Sequence, residues 1–213
     1  LMTNQPHVFD FPRITEGHWN PLWAAAQDAE MSINFHIGSG DLTQLRGVTV
    51  DNGRQAAYAK ATVQLFLDNS QAVMDIVLSG LCHRFPKLNF VSVESGVGWV
   101  PFLLEALDWQ WLNSGCREEH PEMDLLPSEY FKRQCYACFW FEEDSARKAI
   151  EAIGADNILY ETDFPHPTSM SPGPSSVALY PKDFVEQTMG SIPEDDLLKI
   201  LQTNSAKLYH VSV

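Results

Sequence analysis

Short apolar runs alternate with longer helical patterns along this chain, and that order constrains the fold more than any other feature. Four runs have the length and apolar content of strands, at residues 31–37, 88–93, 135–141 and 158–160. Helical spacing occurs at residues 19–30, 55–68, 72–84, 100–112, 145–153, 182–189 and 194–203. Strands that alternate with helices imply right-handed crossovers and a parallel sheet. We therefore predict an α/β fold in which residues 1–213 form a single domain.

The composition is that of an acidic globular protein. Hydrophobic residues make up 45% of the chain, and 28 acidic residues against 14 basic residues give a formal net charge of −14. Nucleic acids and anionic membrane surfaces both require a positive footprint, so neither is expected as a partner. No apolar run approaches the ~20 residues that a membrane-spanning helix needs. The N-terminal residues L-M-T-N-Q-P-H lack the pattern of a signal peptide.

The cysteine pattern argues against a structural zinc or redox motif. Cys135 and Cys138 form a C-x-x-C in a run with the aromatic content of a strand. Residues three apart on a strand face opposite sides, so these two thiols are not expected to share a metal or form a thioredoxin-type pair. We predict buried, free cysteines and a reducing, cytoplasmic compartment.

Ionisable side chains follow three of the predicted strands. His36 ends the first, Glu94 follows the second, and Asp163 follows the fourth, with His166 three residues later in D-F-P-H-P. The carboxyl ends of parallel strands meet at one face of a closed sheet, so these side chains are expected to converge. Each residue also has an ordinary structural interpretation. His36 can be a core histidine, Glu94 a partner of nearby amides or an arginine, Asp163 a turn cap, and His166 a packing or capping residue.

Imidazole nitrogen and carboxylate oxygen together suit zinc and other divalent transition metals. Such a metal polarises a carbonyl or carboxylate and acidifies water. A neighbouring carboxylate can then take a proton as general base. This chemistry predicts a metal-assisted reaction on a small molecule at the strand ends.

Four blocks of sequence resemble the amidohydrolase-2 family, whose members include aminocarboxymuconate-semialdehyde decarboxylase and related hydrolases. The blocks are H-W-N-P-L-W, I-N-F-H-I-G-S-G, C-H-R-F-P-K-L-N-F-V-S-V-E-S-G-V-G-W and Y-E-T-D-F-P-H-P-T. The closing T-N-S-A-K-L-Y-H also resembles the last helix of that family. The resemblance implies a distorted (β/α)8 TIM barrel with one divalent metal, usually zinc, at its C-terminal mouth.

The resemblance assigns roles to individual residues. His36 matches the fifth-strand histidine ligand of the family, and Asp163 matches the eighth-strand aspartate, which binds metal and handles protons. Glu94 stands where many members carry a catalytic sixth-strand histidine, and we expect it to be catalytic together with Asp163. His166 is expected to contact substrate. The first-strand H-x-H ligand pair of the family does not occur in this sequence.

Residues 1–3 match the tail of the fourth strand of the family, so we expect only the C-terminal strand-helix units of the barrel here. Five strands cannot close an eight-stranded barrel, and two protein ligands are too few for a secure metal site. We therefore expect this portion alone to be inactive, with self-association into a homo-oligomer as an alternative way to complete the barrel.

Three functions remain open on the sequence. The first is a metal-dependent hydrolase or decarboxylase of small organic acids or cyclic compounds. The second is a non-catalytic relative that uses the scaffold for binding or assembly. The third, an unrelated doubly wound α/β binding protein, needs a Gly-rich phosphate loop after a strand, and neither G-S-G-D nor G-V-G-W completes a G-x-G-x-x-G.

Overall fold

The computed structural model describes residues 1–42, 53–174 and 176–213. Its centre is a four-stranded parallel sheet whose strands lie side by side in chain order. The strands are β1 (Ile33–His36), β2 (Phe90–Val93), β3 (Cys135–Phe139) and β4 (Ile158–Tyr160). Each predicted strand is present, and the consecutive order is that of successive strand-helix units wound in one direction.

The free edge of β1 carries one further parallel contact. Met2 pairs with Phe35, and the N–H of Met2 donates to the carbonyl oxygen of Asn34 at 2.9 Å. The first residues thus extend the sheet beyond β1, where a preceding barrel strand was expected.

Helices connect the strands and pack against the sheet. Two 3-10 turns, at Pro6–Phe9 and Gly17–Trp19, precede the first helix. The helices before β4 are α1 (Asn20–Asp28), α2 (Arg54–Leu78), α3 (Leu81–Arg84), α4 (Val100–Asn113), α5 (Cys116–Glu119), α6 (Pro127–Gln134) and α7 (Asp144–Ile153). After β4 come α8 (Pro181–Thr188), α9 (Glu194–Leu198), a π-helical turn (Lys199–Thr203) and α10 (Asn204–Leu208).

Two helix predictions were wrong in their boundaries. The predicted helices 55–68 and 72–84 are largely one helix, α2, because the sequence has no glycine or proline between Arg54 and Ser79 to interrupt it. Gly80, at φ 71°, then separates α2 from the short α3.

The helix α6 was not predicted, although Pro127 at its first position and Glu129, which accepts the N–H of Leu126 at 2.7 Å, form a helix-start signal.

The sheet is buried on both faces. Phe35, Phe90, Phe139 and Ile158 face the helices and join the main apolar core. On the opposite face, Val91, Cys138 and Leu159 pack against Leu208 of α10. Cys135 and Cys138 therefore lie on opposite sides of β3, as predicted, and all four cysteines are free thiols.

The C-terminal residues are held under the sheet by polar contacts. The side-chain amide of Asn204 donates to the carbonyl oxygens of Ala155 at 2.8 Å and Ile158 at 2.9 Å. The hydroxyl of Tyr209 donates to Oδ1 of Asn34 at 2.7 Å. These bonds fix the chain end to β4 and β1. Within residues 1–42, 53–174 and 176–213, no helix has both the length and the apolarity to cross a bilayer.

Candidate active site

The three strand-end residues predicted from the sequence occupy the same end of the sheet. His36 is the last residue of β1 and pairs with Val93, so Glu94 is the next residue on the neighbouring strand. Asp163 follows β4 by three residues. Because the strands are parallel, their carboxyl ends place these side chains at one mouth.

His36 and Glu94 are in direct contact. Nε2 of His36 lies 2.6 Å from Oε2 of Glu94, and Nδ1 of His36 lies 2.7 Å from the carbonyl oxygen of Ile37. A carbonyl oxygen only accepts, so Nδ1 carries the proton in that bond. A histidine held through Nδ1 in this way presents Nε2 as its ligand nitrogen.

Glu94 adopts a left-handed backbone conformation, with φ 57°, that few residues other than glycine occupy. Its N–H donates to Oε1 of Glu161 at 2.9 Å. The side chain is only 9% exposed, against 43% for His36. The backbone turn therefore directs a buried carboxylate into the mouth, towards His36.

The turn that follows Glu94 is held by a second buried carboxylate, that of Glu142. Its oxygens accept the N–H of Val97 at 2.8 Å and the N–H of Gly98 at 2.7 Å, and Ser145 donates its hydroxyl at 3.1 Å. A Cβ at Gly98 would lie 2.8 Å from Oε1 of Glu142 and 2.5 Å from Cβ of Ser145. The glycine allows the carboxylate to approach the backbone this closely.

Asp163 also has a left-handed backbone, with φ 55°. Its Oδ2 is buried and has no hydrogen-bond partner, although Nδ1 of His166 lies 3.4 Å away. The N–H of His166 donates to the carbonyl oxygen of Asp163 at 2.8 Å, which brings the imidazole back over the carboxylate. An unsatisfied buried carboxylate oxygen is costly unless a cation or donor completes it.

Ligand atoms of Glu94, Asp163 and His166 all lie within 4.8 Å of one another. His36 joins this group through its contact with Glu94. The four predicted site residues are thus brought together as two carboxylates and two imidazoles. An open cavity of ≈ 420 Å³ lies beside His36, lined by Met2, Thr3 and Ile37 among others.

The electrostatics of the mouth favour a bound cation or proton. Burial raises the pKa of Glu94, the charge of Asp163 raises it further, and His36 and His166 oppose the shift. Burial likewise raises the pKa of Asp163, against the lowering effect of His166 and of a hydrogen bond with Glu94. Burial also raises the pKa of Glu161 to about 8. Three carboxyl groups that resist ionisation at one place are a recognised mark of a functional site.

Sequence reasoning did not select Glu142 and Glu161 as site residues. Glu161 alternates with Asp163 in E-T-D, and its position at the strand end was a usable signal. Glu142 gave no comparable signal, because its partners are backbone amides more than 40 residues away. The Pro, Gly and Ser content of residues 169–176 predicts an exposed, weakly packed loop near Asp163. Residues 172–174 are exposed, whereas Ser169 and Met170 are buried, and Ser175 lies outside the described residues.

Solved structures with the same fold were found. An amidohydrolase from Mycobacterium avium subsp. paratuberculosis K-10 matches with a TM-score of 0.69 and 22% identity, covering 95% of this chain and 47% of that chain. 5-Carboxyvanillate decarboxylase from Sphingomonas paucimobilis matches at 0.67 and 22%, covering 93% and 55%. Dihydroxybenzoic acid decarboxylase from Polaromonas sp. JS666, with bound manganese and the inhibitor 2-nitroresorcinol, matches at 0.63 and 19%, covering 92% and 55%. Curated protein sequences gave no match.

The chain spans about half the length of these structures. This coverage and the parallel sheet confirm the predicted α/β fold, a part of a (β/α)8 barrel. The sequence model of the Amidohydrolase family, Amidohydro_2, matches residues 4–211, nearly the whole chain. The chain therefore belongs to the amidohydrolase-2 family.

Proposed function

We propose that this chain forms the C-terminal part of a metal-dependent hydrolase or carboxy-lyase that acts on a small organic acid or cyclic compound. The observation that carries the proposal is the convergence of His36, Glu94, Asp163 and His166 at the carboxyl ends of the strands. Side chains from separate strands meet there in a half-buried, cation-favouring mouth.

The donor set fits a divalent metal. In this proposal Nε2 of His36 and Oδ2 of Asp163 are the ligand atoms from this chain. The buried, unpartnered Oδ2 supports the assignment, since a cation would complete it. Zinc remains our expectation from the ligand types, and manganese is the alternative to test because the decarboxylase from Polaromonas sp. JS666 contains it. Such a site usually has at least three protein ligands, and Glu94, whose ligand atom lies within 4.8 Å of that of Asp163, is the candidate third ligand from this chain.

A bound divalent metal would supply Lewis-acid activation of a substrate carbonyl or carboxylate. The other functions fall to side chains of this chain. Ligand atoms of Glu94 and Asp163 lie within 4.8 Å of each other, and burial raises the pKa of both carboxyl groups, so the pair can hold one proton and pass it on. His166, 42% exposed at the rim, is placed to bind a polar group of the substrate.

Decarboxylation of an aromatic acid is the finer form of the proposal. Two of the structural neighbours are named as decarboxylases of aromatic acids. Loss of carbon dioxide leaves an electron pair on the ring carbon, which must then receive a proton. The Glu94–Asp163 pair is a suitable donor because burial raises the pKa of both carboxyl groups.

The second candidate is a non-catalytic relative that uses the same scaffold for binding or assembly. Metal analysis of the full-length protein separates the two. About one tightly bound zinc or manganese ion per chain, lost in Asp163→Ala, supports the enzyme. A full-length wild-type protein that binds neither ion supports the binding module.

The reaction class is tested on the same preparation. Carbon dioxide release from 2,6-dihydroxybenzoate and 5-carboxyvanillate, measured against ester and amide hydrolysis, distinguishes a carboxy-lyase from a hydrolase. Hydrolysis without carbon dioxide release would overturn the proposal of a decarboxylase and would leave the proposal of a metal-dependent hydrolase standing.

A further inference from the structure

The backbone amide of Glu94 has an unusual partner. The pairing of β1 with β2 ends at His36 and Val93, so Glu94 lies just beyond the ladder. Its N–H donates instead to Oε1 of Glu161, 67 residues further along the chain, at 2.9 Å. At φ 57°, Glu94 has left the strand conformation, and this bond holds it at the point where the chain turns.

Glu161 is itself firmly placed. Its N–H donates to the carbonyl oxygen of Phe139 at 2.9 Å, which continues the pairing of β4 with β3. Its side chain lies beside Cys138 and reaches past β3 to the end of β2. The bond between Glu161 and Glu94 therefore ties together two strands that are not neighbours in the sheet.

The far end of the same turn is fixed independently. Glu142 accepts the N–H groups of Val97 and Gly98, so carboxylates hold the segment from Glu94 to Gly98 at both ends. Of these three bonds, only the one to Glu161 is made by the backbone of Glu94. Among the described residues, Glu161 is not one of the three whose ligand atoms converge within 4.8 Å, so it acts on the site through Glu94.

We propose that Glu161 is a positioning residue, which fixes the carboxylate of Glu94 against His36 and Asp163 by accepting the backbone N–H of Glu94. The consequence for the site rests on the proposed function above. The positioning itself does not, because it concerns a hydrogen bond that exists without metal or substrate.

The direct test is amide hydrogen exchange of the metal-free protein, resolved by residue. In Glu161→Ala, exchange of the Glu94 amide should accelerate by about tenfold or more, as expected for the loss of one protecting hydrogen bond. The amide of Val91, inside β2, should not change. Glu161→Gln keeps an acceptor oxygen and should restore protection at Glu94. Glu151 is exposed, so Glu151→Ala is the matched control, and it should leave the exchange rates of both amides unaltered.

A second measurement links the bond to the site. Manganese affinity, measured with the ion alone on the full-length protein, should fall by about tenfold in Glu161→Ala and stay near wild type in Glu161→Gln. If Glu161→Ala does not fold, Glu161→Asp, which is one methylene too short to reach Glu94, takes its place in both measurements.

Unchanged exchange at Glu94 in a folded Glu161→Ala or Glu161→Asp protein would overturn the proposal. Accelerated exchange at Glu94 and Val91 alike would also overturn it, because the role would then be general stability. A wild-type protein that binds no manganese or zinc contradicts the proposed function alone, and the exchange result still decides the role of Glu161.

Discussion

Nε2 of His36 lies 2.6 Å from Oε2 of Glu94, and this contact closes the mouth between β1 and β2. The same nitrogen is the one left free for a metal by the bond from Nδ1 to Ile37. A cation that binds Nε2 must therefore either displace the Glu94 carboxylate or share it. Glu94 is thus placed either to bind the ion as a further ligand or, once the ion has displaced it from His36, to act as a base. The variants below distinguish these two roles.

The two histidines are predicted to have different functions. His36→Ala should remove the ligand nitrogen and weaken zinc or manganese binding by about 100-fold or more in the full-length protein. His166→Ala should leave metal content largely intact and raise KM for substrate, because His166 lies at the rim. Isothermal titration with each ion and steady-state kinetics measure the two effects. Strong metal loss in His166→Ala with retention in His36→Ala would reverse the assignment.

Asp163→Asn is predicted to strip the metal while the fold is preserved. Asparagine fills the same volume but removes the negative charge that a divalent cation requires, and Oδ2 has no hydrogen-bond partner to keep it in place. Metal analysis after dialysis should give less than one tenth of the wild-type content, with an unaltered circular dichroism spectrum. A variant with full metal content and full activity would contradict the role of Asp163.

Glu94→Gln is predicted to lower kcat by about 100-fold or more, the usual contribution of a positioned acid or base. Glutamine can still contact His36 but cannot carry the proton exchanged with Asp163. Metal content should stay within a factor of about three if Glu94 is a proton carrier. Loss of the metal together with kcat would identify Glu94 as a ligand instead, and unchanged turnover would remove it from the mechanism.

Gly98→Ala is predicted to destabilise the fold by about 1–3 kcal/mol, because the new methyl group would overlap Glu142 and Ser145. Gly190→Ala is the matched control, since the nearest atom to its Cβ would be the carbonyl oxygen of Glu186 at 3.9 Å. It should change the free energy of unfolding by no more than about 0.5 kcal/mol. Urea unfolding of both variants tests the difference. Equal stability of the two would show that the Glu142 contact adjusts freely.

The sequence predicted the strands and the positions of His36, Glu94 and Asp163 because these depend on local pattern. An apolar run followed by an ionisable residue marks a strand end wherever the rest of the chain lies. It was harder to predict from the sequence that two expected helices form the single helix α2. Polar residues such as Ser70 and Gln71 resemble a helix break, although neither of them stops a helix.

The supporting bonds could not be predicted from the sequence. The partners of Glu142 and Glu161 are backbone amides, which every residue except proline carries, so no residue type marks them. Which amides these two carboxylates reach depends on the twist of the sheet and on two left-handed backbone positions. Chemistry-bearing residues were therefore easier to find than the residues that hold them.

The bond from Tyr209 to Asn34 joins positions 175 residues apart. Closing so long a loop costs chain entropy before any contact compensates for it, whereas neighbouring strand-helix units form over short separations. The C-terminal residues should consequently order last during folding. Leu208 should therefore pack against Val91 and Leu159 only after the four strands have paired in their final register.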